Sequence, residues 1–182
     1  MEGKKNNKVL VVVDLQNDFV SGALGTPEAQ AIVPKVVEKI REFPGDVYFT
    51  QDTHGEDYLD TQEGRMLPVK HCIRGTWGWQ LAEPVEEVRR STPLEKDTFG
   101  SRGLGDVLRA RDRYDGGVEE ICLVGLCTDI CVISNALLLK AFLPETKITV
   151  DASCCAGVTP ESHQRALDAM AACQVEIQNG EK

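Results

Sequence analysis

The 182-residue chain has no apolar run of 18 residues, so nothing in its sequence is long enough to cross a bilayer as a helix, and no membrane partner is expected. Positive charge is in short supply: 20 lysines and arginines stand against 29 aspartates and glutamates, a formal net charge of −9. Phosphate contacts need a basic surface, so the charge argues against nucleic-acid binding as the main activity. The small cluster Lys4, Lys5 and Lys8 reads as solvated charge. Paired cysteine motifs are missing too. The seven cysteines are odd in number and show no repeated CxxC, which argues against a disulfide framework or a zinc ribbon. In a reducing cytosol most of them read as small core hydrophobes. Histidine is scarce, with three in the chain, aromatics are modest at 5%, and no repeat, linker or low-complexity segment is visible.

What remains is 42% hydrophobic and long enough for a sizeable core, so residues 1–182 are read as a single domain. The opening MEGKKNNKVLVVVD imitates a basic region followed by a hydrophobic one. The run is short, stops at Asp14 and lacks a small-residue cleavage site, so residues 1–7 are expected to be a frayed leader and the protein cytoplasmic. Val9 to Val13 are apolar without alternation, the pattern of a central strand covered on both faces, within a first strand over 8–14. Thr26-Pro27 supplies an N-cap and a first-turn proline for a helix running to Pro44. Further strands are expected at 47–50, 121–124, 147–151 and 175–177, with a short one at 93–96 or an approach to it. Helices are expected over about 81–90, 103–113 with Leu104, Val107 and Leu108 inward, 132–142 deeply packed, and from Thr159-Pro160 to Cys173. Between 55 and 80 there is little regular signal, and a connection that long in an α/β protein usually carries function. Strands alternating with helices give an α/β fold: one doubly wound, mainly parallel sheet flanked by helices.

The stretch EEICLVGLCTDIC at 119–131 is the centre of interest. Gly125 reads as closing a buried strand, and Thr128 or Asp129 as capping the helix that follows. Cys131 then falls in a first helical turn, where unpaired N–H groups and the helix dipole favour thiolate over thiol. In parallel sheets the crevice lies beyond the carboxyl ends of the strands, and Asp14, Asp52, Lys96 and Cys131 all fall at or near such ends. A thiol nucleophile needs a proton acceptor, which a carboxylate provides, and a lysine holds carboxylate and thiolate together electrostatically.

These residues lie in motifs, VVVDLQNDF at 11–19, TQDTH at 50–54, EKDTFGS at 95–101, GLCTDICV at 125–132 and DASCCAGVTPESHQRAL at 151–167. The ordered set resembles the isochorismatase-like cysteine hydrolases, the family that includes nicotinamidases, over nearly the whole chain. The resemblance implies a sheet of about six strands, with Cys131 as nucleophile, Asp14 as general base and Lys96 as third member of a triad. It implies a cis peptide at Leu126–Cys127 and an oxyanion hole from the N–H groups of Cys127 and Cys131. It implies further that Phe19 stacks on the substrate ring and that Leu126 borders it. Trp77, in the GTWGW run, either lines the same pocket or packs the loop.

Asp52, His54 and His71 offer one oxygen and two nitrogen ligands, a set compatible with Zn²⁺, Mn²⁺ or Fe²⁺. As residues alone, Asp52 and His54 are also readable as capping or loop positions. The segment resembles the nicotinamidase metal site, with Glu63 matching the acidic ligand of one branch. Isochorismatase-type relatives and the ureide and carbamoyl amidases of the family lack the set. The resemblance therefore implies one divalent metal ion, Zn²⁺ first, and acyl transfer through a thioester that turns nicotinamide into nicotinate and ammonia. His163 reads as a surface or outer residue. The open alternatives are an amidase for another small amide, a non-catalytic scaffold of the same fold, or a redox protein, the last disfavoured by the cysteine spacing. The expected partner is a small amide, and oligomeric state is left open, a homo-oligomer included.

Overall fold

The computed structural model describes residues 6–180, so most of the expected leader lies outside the described residues. Asn7, at the end of that stretch, is held: its Nδ2 donates to Gly116 O at 2.8 Å, and Glu119 N donates to its carbonyl at 2.9 Å. The strands are β1 (Lys8–Val13), β2 (Asp46–Asp52), β3 (Leu94–Lys96), β4 (Glu120–Leu126), β5 (Lys147–Ala156) and β6 (Glu176–Gln178). They form one parallel sheet in the order β3-β2-β1-β4-β5-β6. The helices are α1 (Asn17–Val20), α2 (Pro27–Glu42), α3 (Gln62–Met66), α4 (Glu83–Glu86), α5 (Arg102–Tyr114), α6 (Ile133–Phe142) and α7 (Pro160–Ala172).

The unbroken apolar run of β1 is explained by cover on both faces. Leu10 and Val12 pack with Ile32, Val36 and Ile40 of α2. Val9, Val11 and Val13 pack on the other side with Leu104, Leu108, Leu139 and Met170, from α5, α6 and α7. Each half of the sheet winds outward from the β1/β4 pair, so the strand order reverses there and a crevice opens beyond their carboxyl ends. Thr26 caps α2 as its sequence foretells, its Oγ1 accepting from Ala29 N at 3.0 Å, with Pro27 in the first turn.

Several boundaries differ from the sequence expectation. Gly125 does not end β4. It adopts φ +119°, a region open to glycine, and a Cβ there would meet the backbone of Val13, so the strand continues through Leu126. Strand β2 is longer than expected and carries Asp52 within it. The 81–90 helix contracts to α4, and the 55–80 connection holds a 3₁₀ turn at Tyr58–Asp60 and α3. Val107 is 37% exposed rather than inward, and α6 buries one side only, with Leu137 outward.

Strand β5 departs from its register with β4. The pair Leu123↔Val150 is followed by Gly125↔Cys155, so β5 carries extra residues that displace Asp151 and Ser153 from the ladder with β4. Asp151 is pinned there by an ion pair to Lys39 of α2 and accepts from Asn179 Nδ2 at 3.0 Å and Ser153 Oγ at 2.8 Å. Burial pushes the Asp151 carboxyl up, but the hydrogen bonds from Lys39, Asn179 and Ser153 outweigh it and hold it below the ordinary range. A carboxyl whose folded pKa is lowered stabilises the fold above its unfolded value of about 3.9, and that contribution disappears as pH falls through the folded value. Asp151→Ala is therefore expected to cost about 2–3 kcal/mol at neutral pH. In urea unfolding at a series of pH values the deficit relative to wild type should shrink below pH about 4. A deficit that ignores pH would contradict the ion pair.

Candidate active site

Four side chains converge at the carboxyl ends of β1, β2, β3 and β4. Asp14 follows β1 at φ 46°, fully buried, and its Oδ1 accepts from Thr50 Oγ1 at 2.7 Å. Lys96 Nζ lies 2.7 Å from Asp14 Oδ2, 3.0 Å from Asp52 Oδ1 and 3.6 Å from Cys131 Sγ. The ammonium thus bridges two carboxylates and one sulfur in a space almost closed to water.

Electrostatics set the resting protonation. Burial pushes the Cys131 thiol up, the Asp14 carboxylate pushes the same way, and Lys96 opposes without prevailing, so the thiol ends well above its ordinary value. Burial also raises Asp14, against the pull of Lys96. Burial alone would lower Lys96, but the carboxyl groups of Asp14 and Asp52, joined by Cys131 whenever its sulfur is ionised, outweigh it and keep the ammonium charged. Burial and Asp14 thus favour the thiol form of Cys131, while Lys96 favours the thiolate. Against the pull of the helix N-terminal groups toward thiolate stand burial and the Asp14 carboxyl, which the local sequence does not show.

Cys131 lies in a π-helical turn, Thr128–Val132, that leads into α6. Neither Thr128 nor Asp129 caps it. Thr128 Oγ1 is hydrogen-bonded to His163 Nδ1 at 2.7 Å, and Asp129 Oδ1 accepts from Val158 N at 3.1 Å, so both tie the turn to the segment before and within α7. His163 is thus a tether for this turn and not a surface residue alone. The peptide Leu126–Cys127 is cis. Burial pushes the Cys127 thiol up to about 12.

Asn135, which no motif or periodicity singles out, is completely buried one turn beyond Cys131. Its Nδ2 donates to Cys131 O at 2.8 Å and to Phe99 O at 3.2 Å, while its Oδ1 accepts from Ser101 N at 2.9 Å. It thereby fixes the cysteine turn to the loop that follows Lys96. Asn135→Ala removes three hydrogen bonds, the two to Ser101 N and Cys131 O being buried, an expected cost of about 2–3 kcal/mol. Loosening the cysteine by a fraction of an ångström should also lower kcat roughly ten- to a hundredfold. Thermal unfolding and steady-state rates on one preparation check both. Gln16 is a second residue that sequence reasoning misses: its carboxamide accepts from Asp52 N at 2.7 Å and donates to Asp52 O and Trp79 O at 2.8 Å, holding the end of β2 in place.

Beside the thiol sits the Asp52, His54 and His71 group, all three buried, with one ligand atom from each within 4.8 Å of the others. A short parallel bridge between His54 and Ile73 folds the 55–80 connection back onto the end of β2 and brings His71 to His54. The Tyr58 ring packs on both imidazoles, with centroids 4.7 Å from His54 and 5.0 Å from His71. Glu63 arrives on α3, its Oε1 3.7 Å from His54 Nε2 and 3.8 Å from His71 Nε2. Asp52 Oδ2 is 2.9 Å from His54 Nε2 and 3.7 Å from His71 Nε2.

These four donors fit a divalent ion. Zinc bonds of about 2.0–2.2 Å at tetrahedral angles place donor atoms about 3.3–3.5 Å apart, within the spread of separations found here. His54 Nε2 is buried and makes no well-formed hydrogen bond despite the near carboxylate, so the two atoms face each other as co-ligands do. His71 Nδ1 lies 2.9 Å from the Val69 carbonyl, which can only accept, so Nδ1 carries the hydrogen and Nε2 presents a lone pair.

A cavity of about 320 Å³ joins the thiol to this cluster, and Asp52, Glu63, His71, Leu126, Cys127 and Cys131 line it. Phe19 also faces it, with its ring tilted against His71 at 5.5 Å. Trp77 does not. It is 59% exposed and lines a separate groove beside α2 and α4, so of its two readings the pocket wall is set aside. Phe99, in the loop after Lys96, lines the cavity instead.

A doubly wound parallel sheet with a thiol, a carboxylate and an ammonium buried at its switch point, next to a two-imidazole, two-carboxylate cluster, defines a class of thiol-centred α/β protein. The isochorismatase domain profile matches residues 8–182, and the chain belongs to the isochorismatase family. An isochorismatase family protein of Bacillus subtilis is 32% identical over 174 residues, covering 88% of this chain and 92% of that one. The nicotinamidase of Saccharomyces cerevisiae is 28% identical over 189 residues, covering 79% and 86%. Among solved structures, pyrazinamidase of Pyrococcus horikoshii in complex with zinc superposes with a TM-score of 0.77 at 28% identity, covering 94% of this chain and 98% of that one.

Proposed function

We propose that the protein is a metal-dependent cysteine amidase that hydrolyses nicotinamide to nicotinate and ammonia. The observation that carries this reading is one cavity lined by Cys131 and by Asp52, Glu63 and His71, with His54 behind them in the same cluster. A pyridine carboxamide has a ring nitrogen to present to the cluster and an amide carbon to present to the sulfur. The names of the yeast and Pyrococcus relatives support the same chemistry.

Asp14 takes the Cys131 proton as the sulfur attacks the amide carbonyl, and Lys96 offsets the charge that passes between them. The N–H groups of Cys127 and Cys131 receive the oxyanion. Collapse of the adduct breaks the C–N bond, and protonated Asp14 gives its proton to the departing ammonia. Asp14, ionised again, takes a proton from the water whose oxygen attacks the thioester carbonyl, and returns it to the Cys131 sulfur as the C–S bond breaks, which frees nicotinate and restores the thiol. Phe19 stacks on the ring and, with Leu126, bounds it. A divalent ion held by Asp52, His54, His71 and Glu63, zinc in the first instance, would supply Lewis-acid anchoring of the ring nitrogen and polarisation of water. The seven unpaired cysteines suit a reducing, cytoplasmic setting.

Ammonia release from nicotinamide by metal-replete protein tests the reading, and absence of turnover would overturn it. Asp14→Asn, which keeps size but cannot take the thiol proton, should lower kcat by about 10³-fold or more. Near-normal turnover in that variant would require another base.

A further inference from the structure

The cavity differs in character from floor to mouth. At the floor Leu126, Asp52, His71 and Cys131 are no more than 4% exposed. At the mouth stand Met66 at 78%, Val158 at 52%, Phe99 at 46% and Leu67 at 37% exposure, all apolar. Exposed methionine, valine and phenylalanine converging on one opening is the pattern of a surface awaiting an apolar group. The volume of about 320 Å³ is also more than one heteroaromatic ring with its amide fills, and it reaches the size at which larger ligands are held. Among the described residues, the only carboxylates or cationic lysines and arginines on its walls are Asp52 and Glu63, both acidic.

We propose that the site accepts neutral ring carboxamides bearing an apolar substituent, with Met66, Phe99 and Val158 receiving that substituent at the mouth. This rests on the amidase reading above. With the amide at Cys131 and the ring nitrogen toward the histidines, both at the floor, the opposite ring edge points to the mouth. An alkyl group there leaves water for apolar side chains. A carboxylate on the same carbon meets no lysine or arginine among the described residues of the cavity wall, loses hydration among apolar side chains, and faces two acidic groups.

The test compares kcat/KM for ammonia release by the metal-replete enzyme across a substrate series. The series comprises nicotinamide and its methyl, ethyl, propyl and carboxyl derivatives, all substituted on the ring carbon farthest from nitrogen and amide. Each added methylene should lower KM by about threefold with kcat little changed. The carboxyl derivative should fall at least about a hundredfold below nicotinamide. Val158→Asp, on the exposed rim, should bring the propyl-to-parent ratio of kcat/KM toward one; thermal unfolding confirms that the variant is folded. Turnover of nicotinamide with alkyl derivatives equal or worse overturns the inference and leaves the amidase reading standing. So does an undiminished propyl preference in folded Val158→Asp. No turnover of any member overturns both.

Discussion

Cys131→Ala should leave no measurable ammonia release, a loss of at least about 10⁴-fold in kcat, in a protein that still folds. The substitution deletes one buried sulfur and little volume. Its cost to stability should stay near about 1 kcal/mol, partly because removing the sulfur leaves Lys96 with both of its carboxylate partners. Cys72→Ala, Cys154→Ala and Cys173→Ala are the comparisons that give the result its meaning. Cys173 is exposed at the end of α7, and Cys72 and Cys154 are buried in the apolar layer beside α2. Each should retain most activity, Cys72→Ala and Cys154→Ala with modest losses of stability. Rates of ammonia release and unfolding temperatures for the four variants decide the matter. Substantial turnover by folded Cys131→Ala would remove the thioester route.

The sequence disclosed the sheet because a parallel strand buried on both faces must be apolar without alternation, as Val9–Val13 is. It disclosed the positions of Asp14, Asp52, Lys96 and Cys131 because a polar residue at the end of such a run sits where the crevice of a parallel sheet opens. What it hid has physical reasons as well. Gly125 reads as a terminator, yet its missing side chain is what lets β4 pass against Val13 and carry Leu126 onward. The burial of Cys131 and the Asp14 carboxyl beside it both oppose ionisation of the sulfur, and neither is encoded in the local helix signal that favours a thiolate. Asn135 is one polar residue in an apolar helix, and its role exists only once the Phe99–Ser101 loop is packed against it. Trp77 and Phe99 are both aromatic loop residues, and only the path of their loops decides which reaches the cavity.

His54→Ala and His71→Ala should each lose both bound metal and nicotinamide turnover, because either change leaves at most three of four converging donors. Waters can replace a single carboxylate more readily than a buried imidazole, so Glu63→Ala, whose side chain is 22% exposed, should weaken binding less. Three readouts separate metal loss from simple damage to the fold. Elemental analysis of protein purified without chelator should give one divalent ion per chain for wild type and little for the histidine variants. Thermal unfolding should rise on adding zinc to wild type, by the stabilisation any ligand selective for the folded state confers, and should not rise for either histidine variant. Ammonia release should vanish on chelation and return on re-addition of the ion. Tyr58 packs its ring on both imidazoles, so each variant loses one ring contact and some stability, while cooperative unfolding that ignores added zinc marks lost coordination rather than a lost fold. A metal-free wild type with undiminished nicotinamide turnover, indifferent to chelator, would strip Asp52, His54, Glu63 and His71 of the anchoring role. Cys131, Asp14 and Lys96 would then remain as the centre of a metal-independent amidase, with Phe19 and Leu126 left to hold the ring.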